Sequence, residues 1–338
     1  MEETLVVASA LTLERNDGGS VLPHIADDES RVRLADRAVD HLSTNSLPGE
    51  WDFHNLDDLS LAMRAYLMER GLMTPGFSQQ SGTGRSLGVF RAGKASLEIN
   101  GISHLRILCS RPADRLLELW GLVDWLDDQL EAEFAWAFDE FRGYLTALPE
   151  TAGTGLRVHL TVHLPALMVT GRVGPLVTKL ESEGFALAPF WEGAGGVFQV
   201  FNRGTTGRSE GDLMATGLGL ARLLAERERT ARKWLFRENP GRARDYVGRA
   251  LGVAQQAYSV GVEEGVSLIS ALQVGGDMGL TEPQFDSQSA FALMRRIQPG
   301  HLVVEEIRSA HGGLEEPVID EVRARLLREF FADTRVLR

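Results

Sequence analysis

The pattern of apolar and polar positions predicts a mixture of strands and helices in the first part of the chain. Short apolar or alternating runs predict strands at residues 5–7, 86–90, 95–99, 104–109, 156–164 and 198–201. Apolar residues at helical spacing predict helices at residues 27–42, 57–70, 115–144, 176–183 and 211–236. Because the two kinds of element do not alternate strictly, we expect an α+β fold with a mainly antiparallel sheet flanked by helices.

The pattern becomes entirely helical after Asn239-Pro240-Gly241, a combination that ends the preceding helix. Helices are predicted at residues 246–257, 263–273, 285–297, 301–310 and 317–331, each bounded by Gly, Pro or Asp. The sequence therefore predicts two domains, an α+β domain at residues 1–240 and an all-α domain at residues 241–338.

Composition and charge narrow the functional classes. With 338 residues, 43% hydrophobic and 24% charged, the chain is typical of a globular protein. It has no apolar run of about 18 residues and no basic leader at its start, so we expect a cytoplasmic protein without a membrane segment. The net charge of −12 disfavours nucleic-acid binding. The lone Cys109 excludes an internal disulfide, and His159 and His163 on one strand face do not make a metal site.

One loop carries the strongest chemical signal. Gly143-Tyr144 leads to Leu148-Pro149, and Gly153-Thr154-Gly155 then turns the chain into a strand that begins beside Arg157. Two close glycines let backbone approach a ligand, although a plain loop before a strand has the same pattern. The stretch resembles the signature loop of the ATP:guanido phosphotransferases. The resemblance is greatest to bacterial protein arginine kinases, whose loop reads Gly-Tyr-Leu-Thr-Ala-Cys-Pro-Thr-Asn-Val-Gly-Thr-Gly-Leu-Arg.

The resemblance extends over nearly the whole chain. It covers residues 4–16, 96–107, 202–210 and, in the helical region, 245–280. It implies a guanidino-kinase-like catalytic domain, with ATP and Mg as cofactors and protein arginine as substrate. It further implies, as partners, an active arginine kinase, its zinc-binding activator and the stress-response unfoldase, and a homodimer.

The catalytic positions that the resemblance implies are altered. Transfer of a phosphoryl group to a guanidinium needs a positioned base, because the guanidinium is a very weak acid. The family motif Asn-Glu-Glu-Asp-His supplies two glutamates, but this chain has Gly101 and Ile102 there, followed by Ser103. The reactive cysteine of the signature loop is replaced by Leu148.

The phosphate-binding positions are partly retained. The resemblance implies cofactor-binding roles for Arg106, Arg157, Arg203 and His104. Two further arginines of the motif Ser-Ser-Arg-Val-Arg-Leu-Ala-Arg-Asn fall at Ala10 and Thr12 when residues 8–16 are matched to it. A second match at residues 29–35 is rejected, because it leaves too few residues before the glutamate motif and because its arginines lie on the outer face of a predicted helix.

Two carboxylates could have moved to replace the missing base. Glu98 shares the strand parity of Ile102, but four residues of strand separate them by roughly 13 Å. Glu150 in the signature loop is the better candidate, with an exposed loop glutamate as the alternative. In the helical region, Asp320 and Arg323 resemble a phosphoarginine pocket in which Ile319 replaces one arginine, and ordinary helix capping by Asp320 is the alternative.

The leading hypothesis is therefore a catalytically impaired pseudokinase that acts by binding or regulation, with weak or absent binding of ATP and Mg. An active phosphotransferase that uses Glu150 or Glu98 is the first alternative. A structural module that only oligomerises is the second.

Overall fold

A computed structural model gives the fold and describes residues 5–45, 50–191, 195–307 and 316–337. The strands are β1 (Val6–Arg15), β2 (Trp51–Asn55), β3 (Ser86–Phe90), β4 (Ala95–Ile99), β5 (Leu105–Pro112), β6 (Phe138–Asp139), β7 (Gly143–Tyr144), β8 (Leu156–His163), β9 (Phe185–Pro189), β10 (Val197–Asn202), β11 (Thr281–Glu282) and β12 (Arg335–Val336).

The same residues include helices of very different length. They are α1 (Asp28–Asn45), α2 (Leu61–Glu69), α3 (Pro75–Ser78), α4 (Leu116–Glu131), α5 (Pro165–Val169), α6 (Gly174–Ser182), α7 (Glu210–Glu238), α8 (Pro240–Gln256), α9 (Val262–Asp277), α10 (Ser287–Arg296), α11 (Pro299–His301) and α12 (Glu316–Phe330). A 3-10 turn at Leu56–Asp58 and a π-helix at Leu302–Ile307 complete them.

Eight strands form one antiparallel sheet in the order β2-β3-β4-β5-β1-β8-β10-β9. Helices α1, α4 and α7 pack on one face and bury the main core with it. The expected α+β fold with an antiparallel sheet flanked by helices is confirmed. The strands predicted at residues 86–90 and 95–99 have the observed bounds of β3 and β4.

The central strand β1 is much longer than the short strand predicted at residues 5–7. Its alternation buries Leu11 and Leu13 in the helix-covered core. It also places Ala10, Thr12 and Glu14 on the opposite face of the sheet. Ala10 and Thr12, which stand at the positions of the family's two arginines, thus lie on a strand that β5 and β8 flank.

In the described part of the C-terminal region, the regular elements are helices apart from the small strand pair β11–β12. Helices α8, α9, α10 and α12 bury a second core that also includes Val7 and Ala8 of β1. A single residue, Asn239, separates α7 from α8. The domain boundary at residue 240 stays a prediction, because side chains of the sheet share this second core.

Several local predictions were wrong. The helix predicted to run to Tyr144 ends at Glu131, because residues 132–146 instead pair Trp136 with Asp17 and form the hairpin β6–β7. The outer strands β2 and β9 were not predicted. Of the two arginines assigned to the outer face of α1, Arg33 is exposed, whereas Arg31 is mostly covered by backbone carbonyls of neighbouring loops. Residues 308–310 of one predicted helix lie outside the described residues.

No helix in the described part of the chain is long and apolar enough to cross a membrane. The thiol of Cys109 is buried, and burial raises its pKa to about 12.

Candidate functional site

The face of the sheet that α1, α4 and α7 leave uncovered brings the altered motifs together. Strand register places Glu14 of β1 opposite Arg106 of β5 and Thr12 opposite Arg157 of β8. Glu98 of β4 lies opposite Arg106 on its other side. Because side chains of paired residues point to the same face, two arginines and two glutamates share this surface.

Arg106 is held between the two glutamates. Its guanidinium donates to Glu14 Oε1 at 2.8 Å and to Glu98 Oε2 at 3.2 Å. The side chains of Arg106, Glu14 and Glu98 are 12%, 5% and 1% exposed, respectively, so all three are largely buried. Glu98 also accepts from the backbone N–H of Thr74 at 2.5 Å and from its hydroxyl at 3.1 Å. We call Glu14, Glu98 and Arg106 the acid–arginine cluster.

The electrostatics of the acid–arginine cluster follow from burial and from its two acids. Burial raises the pKa of Glu98, although Arg106 and the Thr74 hydrogen bonds oppose that effect. Burial would lower the pKa of Arg106, but Glu98 and Glu14 outweigh it and the pKa rises. Arg106 therefore stays charged, and its charge is already neutralised inside the protein.

Sequence reasoning missed Glu14, which is the central carboxylate of the site. Its Oε2 lies 2.9 Å from the hydroxyl of Ser103 and 3.3 Å from that of Thr151. These residues stand in the altered Asn-Glu-Glu-Asp-His motif and in the signature loop. The signal was present in the sequence, because alternation along β1 places Glu14 on the same face as Ala10 and Thr12.

The positions of the missing glutamates lie in the bend between β4 and β5. Gly101 is buried, and a Cβ added there would lie 3.2 Å from the ring of Phe77. Ile102 is half-buried. The neighbouring His104 has a structural role, because its Nδ1 accepts from the Asp17 N–H at 3.1 Å and its Nε2 lies 2.9 Å from the Val21 carbonyl. Burial lowers the pKa of His104, so the ring is neutral at pH 7.

The signature loop is pinned against β1. Gly155 has φ +72°, and a Cβ there would lie 2.4 Å from the Glu14 carbonyl, so this close approach requires glycine. Arg15 lies over the ring of Tyr144 at 3.5 Å and pairs with Asp127 at 2.6 Å. Leu148 is half-buried at the cysteine position. Glu150 is exposed, and no hydrogen bond or ion pair involves its side chain within the described residues.

The remaining phosphate-position arginines have different surroundings. Arg157 lies beside the acid–arginine cluster, and its buried Nε has no hydrogen-bond partner. Arg203 follows β10, is 61% exposed and lies 3.6 Å from Glu181. Within the described chain, Arg157 is thus the one arginine of these three that no carboxylate pairs with.

The phosphoarginine pocket suggested at the start of α12 is filled by the protein itself. Arg323 is 1% exposed and donates to the carbonyls of Ile297 at 2.9 Å and Val260 at 2.7 Å. It also pairs with Asp320. The guanidinium therefore connects α12 to the residue after α10 and to the segment before α9.

Comparison with known families assigns the fold. Residues 33–231 match the family described as ATP:guanido phosphotransferase, C-terminal catalytic domain. The chain belongs to the ATP:guanido phosphotransferase family. Residues 241–337 match the protein-arginine kinase McsB C-terminal domain, which makes this a protein-arginine-kinase-like member.

Curated relatives cover almost the whole chain. A protein-arginine kinase of Moorella thermoacetica is 34% identical in an alignment of 336 residues that covers 97% of this chain and 94% of the relative. A protein-arginine kinase of Syntrophomonas wolfei is 30% identical in an alignment of 334 residues that covers 97% of this chain and 92% of the relative.

Solved structures share the fold at lower identity. A duplicated taurocyamine kinase of Schistosoma mansoni with bound transition-state analogue components has a TM-score of 0.61 and 20% identity, over 75% of this chain. The chain spans 38% of the length of that duplicated kinase. Lombricine kinase has a TM-score of 0.57 and 16% identity, over 66% of each chain.

The family implies ATP and Mg, and the uncovered face fits a triphosphate poorly. Ala10 and Thr12 offer no charge, and Arg106 is neutralised by its two carboxylates. Arg157, with its unpartnered Nε, is the group on this face that could still hold a phosphate oxygen. No group of three or more potential metal-ligating His, Cys, Asp or Glu side chains occurs in the described ranges.

Proposed function

We propose that this chain is a catalytically impaired, protein-arginine-kinase-like pseudokinase that acts by binding rather than by phosphoryl transfer. The observation that carries the proposal is the acid–arginine cluster, in which an arginine at a phosphate position is buried between two carboxylates. A phosphate at Arg106 would have to displace Glu14 or Glu98. Binding of ATP and Mg is accordingly weak or absent, and protein partners of the arginine-kinase system remain the candidate ligands.

The missing base supports the same proposal. Proton removal from a guanidinium needs an ionised, accessible carboxylate within hydrogen-bond reach. Glu98 is buried against Arg106 and Thr74, and Glu150 is exposed on the signature loop without a partner that would position it. Glu14 is already engaged by Arg106, Ser103 and Thr151.

A specific observation favours one form of the rival function, an active phosphotransferase with a rebuilt site. Glu14 accepts hydrogen bonds from Ser103, in the altered Asn-Glu-Glu-Asp-His motif, and from Thr151, in the altered signature loop. It is therefore a better candidate for a displaced base than Glu150 or Glu98. The rival requires Glu14 to release Arg106 when substrate binds.

A phosphoarginine assay separates these functions. The full chain is incubated with ATP, Mg and either free arginine or an arginine-rich protein, and phosphoarginine is measured by ³¹P NMR and mass spectrometry. The Moorella thermoacetica relative is assayed in parallel as a reference. We expect no phosphoarginine above the level without enzyme. Product formation that disappears in Glu14→Gln but persists in Glu150→Gln would establish the rebuilt site instead.

Restoring the family residues is a second test. Gly101→Glu, Ile102→Glu, Ala10→Arg and Thr12→Arg together should produce measurable phosphoryl transfer only when Glu14→Ala and Glu98→Leu also release Arg106. Activity in the first four substitutions alone would show that the acid–arginine cluster does not block the site.

A further inference from the structure

A cleft of about 450 Å³ lies over the uncovered face of the sheet. Ala10, Thr12, His159 and Gln199 line it from the strands. The opposite wall comes from the segment that joins α2 to α3 and from α10, so both predicted domains contribute to it. This volume is within the range of pockets for small molecules.

The cleft has an aromatic end. Phe190, Trp191 and Phe291 line it, and their ring centroids lie 4.8 to 5.8 Å apart. His159 lies 3.2 Å from the Gln199 side chain, and burial lowers its pKa to about 4, so it is uncharged at pH 7. Aromatic side chains grouped in this way form a surface on which a flat apolar group packs well.

Two arginines on the opposite wall give the cleft a positive charge. Arg295 donates from Nε to the Glu69 carbonyl at 3.0 Å, and Arg70 donates to the Ala92 carbonyl at 3.2 Å. Neither has a carboxylate partner within the described residues, and Arg70 also lies over the ring of Tyr66 at 5.4 Å. Burial lowers the pKa of Arg295 and the neighbouring Arg70 lowers it further, whereas Glu69, Tyr66 and Glu305 raise it. A guanidinium remains charged under such conditions.

Among the described residues, no carboxylate forms an ion pair with Arg70 or Arg295, although Glu69 and Glu305 act on Arg295 from further away. Among the described residues that line the cleft, Glu69 is the sole acid, and its carboxylate accepts from Gly300 N–H at 2.7 Å and His301 N–H at 2.8 Å. The pair Arg70 and Arg295 is therefore a site where a ligand anion would gain an ion pair without displacing a protein carboxylate.

We propose that this cleft binds a small organic anion whose acid group pairs with Arg295 and Arg70 and whose aromatic part packs on Trp191 and Phe291. The inference rests on the proposed function, because it supplies a ligand for a protein that acts by binding. Two of the family's phosphate positions, Ala10 and Thr12 on β1, line the same cleft, but the proposed contacts to the anion lie on the opposite wall, at Arg295 and Arg70. Carboxylates and phosphate monoesters share the required chemistry.

The experiment compares a charged probe with its neutral analogue on the full chain. Calorimetry measures the affinity of 1-naphthaleneacetate, 1-naphthyl phosphate and the uncharged 1-naphthaleneacetamide. We expect both anions to bind about tenfold or more tightly than the amide, the factor expected of one charge-assisted contact. Arg295→Gln should remove that preference, and Arg295→Lys should retain part of it. Arg242→Gln, an exposed arginine of α8, is the matched control.

Several results would overturn the inference. They are equal binding of acid and amide, no binding of any naphthyl probe at millimolar concentration, or unchanged affinity in Arg295→Gln with folding verified by circular dichroism. Binding that competes with ATP and is lost in Arg157→Ala but kept in Arg295→Gln would place the anion at the family positions instead. Trp191→Ala should weaken acid and amide alike. The phosphoarginine assay decides the proposed function independently of these titrations.

Discussion

Replacing Arg106 by methionine tests whether the acid–arginine cluster is a structural element. The substitution keeps an unbranched apolar side chain but leaves Glu14 and Glu98 buried without their shared cation. Breaking a buried ion pair by removing one partner costs about 3–5 kcal/mol. Since the two carboxylates are 5% and 1% exposed, water replaces little of the lost interaction, and we expect a cost in this range.

The loss should depend on pH in a defined direction. Burial already raises the pKa of Glu98, and without Arg106 the opposing attraction disappears, so the pKa rises further. An acid whose pKa is higher in the folded state than in the unfolded chain, where it is about 4.3, holds its proton better when folded. The stability of the variant then falls as the pH rises from about 4.3 through the raised pKa of Glu98 in the folded state. The variant should therefore lose less stability at pH 5 than at pH 8.

Urea unfolding at both pH values measures these effects. Arg111→Met is the matched control, because Arg111 lies on the same strand and makes no ion pair within the described residues. Removing the charge of Glu98 as well, in Arg106→Met/Glu98→Met, should restore part of the stability. A loss below about 1 kcal/mol, the value typical of exposed pairs, would refute the reasoning, as would a double variant no more stable than the single one.

Two further predictions concern other buried groups. Arg323→Met should lower the free energy of unfolding by about 1–3 kcal/mol for each carbonyl left unsatisfied. Arg325→Met, which removes a half-exposed arginine of the same helix, is the control. Calorimetry should detect no binding of phosphoarginine to the unaltered chain. Burial lowers the pKa of His163 to about 3, below the ordinary value of 6.5. Between these two values the unfolded chain binds a proton that the folded chain does not, so stability should fall as the pH drops from about 6.5 towards 3. Thermal unfolding of His163→Gln should show a shallower fall, and an identical profile would contradict this assignment.

Local pattern was sufficient for the elements whose contacts are local in sequence. Strands β3 and β4 and helix α1 were predicted within a few residues, because alternation and helical spacing report directly which face is buried. Residues 132–144 were mispredicted because their structure depends on the pairing of Trp136 with Asp17, far away in sequence. The outer strands β2 and β9 are only five residues long and partly exposed, so their periodicity is weak.

For the candidate site, the sequence pointed to individual residues but not to the contacts between them. The resemblance implied phosphate-binding roles for Arg106 and Arg157, and these roles stay predictions. The register of β5 and β8 against β1 places both residues on one face of the sheet. The pairing of Glu14 with Arg106 could not be read from spacing, because it depends on which strands are neighbours and on their register. Spacing along the strand assigned Glu98 only the parity of Ile102, and its pairing with Arg106 was found in the structure.

A buried guanidinium requires an anion, and the source of that anion decides what the site can bind. Arg106 lies on β5 near the middle of the sheet, and Glu14 and Glu98 supply its counter-charge permanently. A phosphate reaching Arg106 would displace a carboxylate, which would then be buried without its cation, and that cost would be subtracted from the binding energy. Within the described residues, Arg70 and Arg295 have no paired carboxylate to displace. An anion entering the cleft therefore gains more on the wall opposite the sheet than at the family's own phosphate positions.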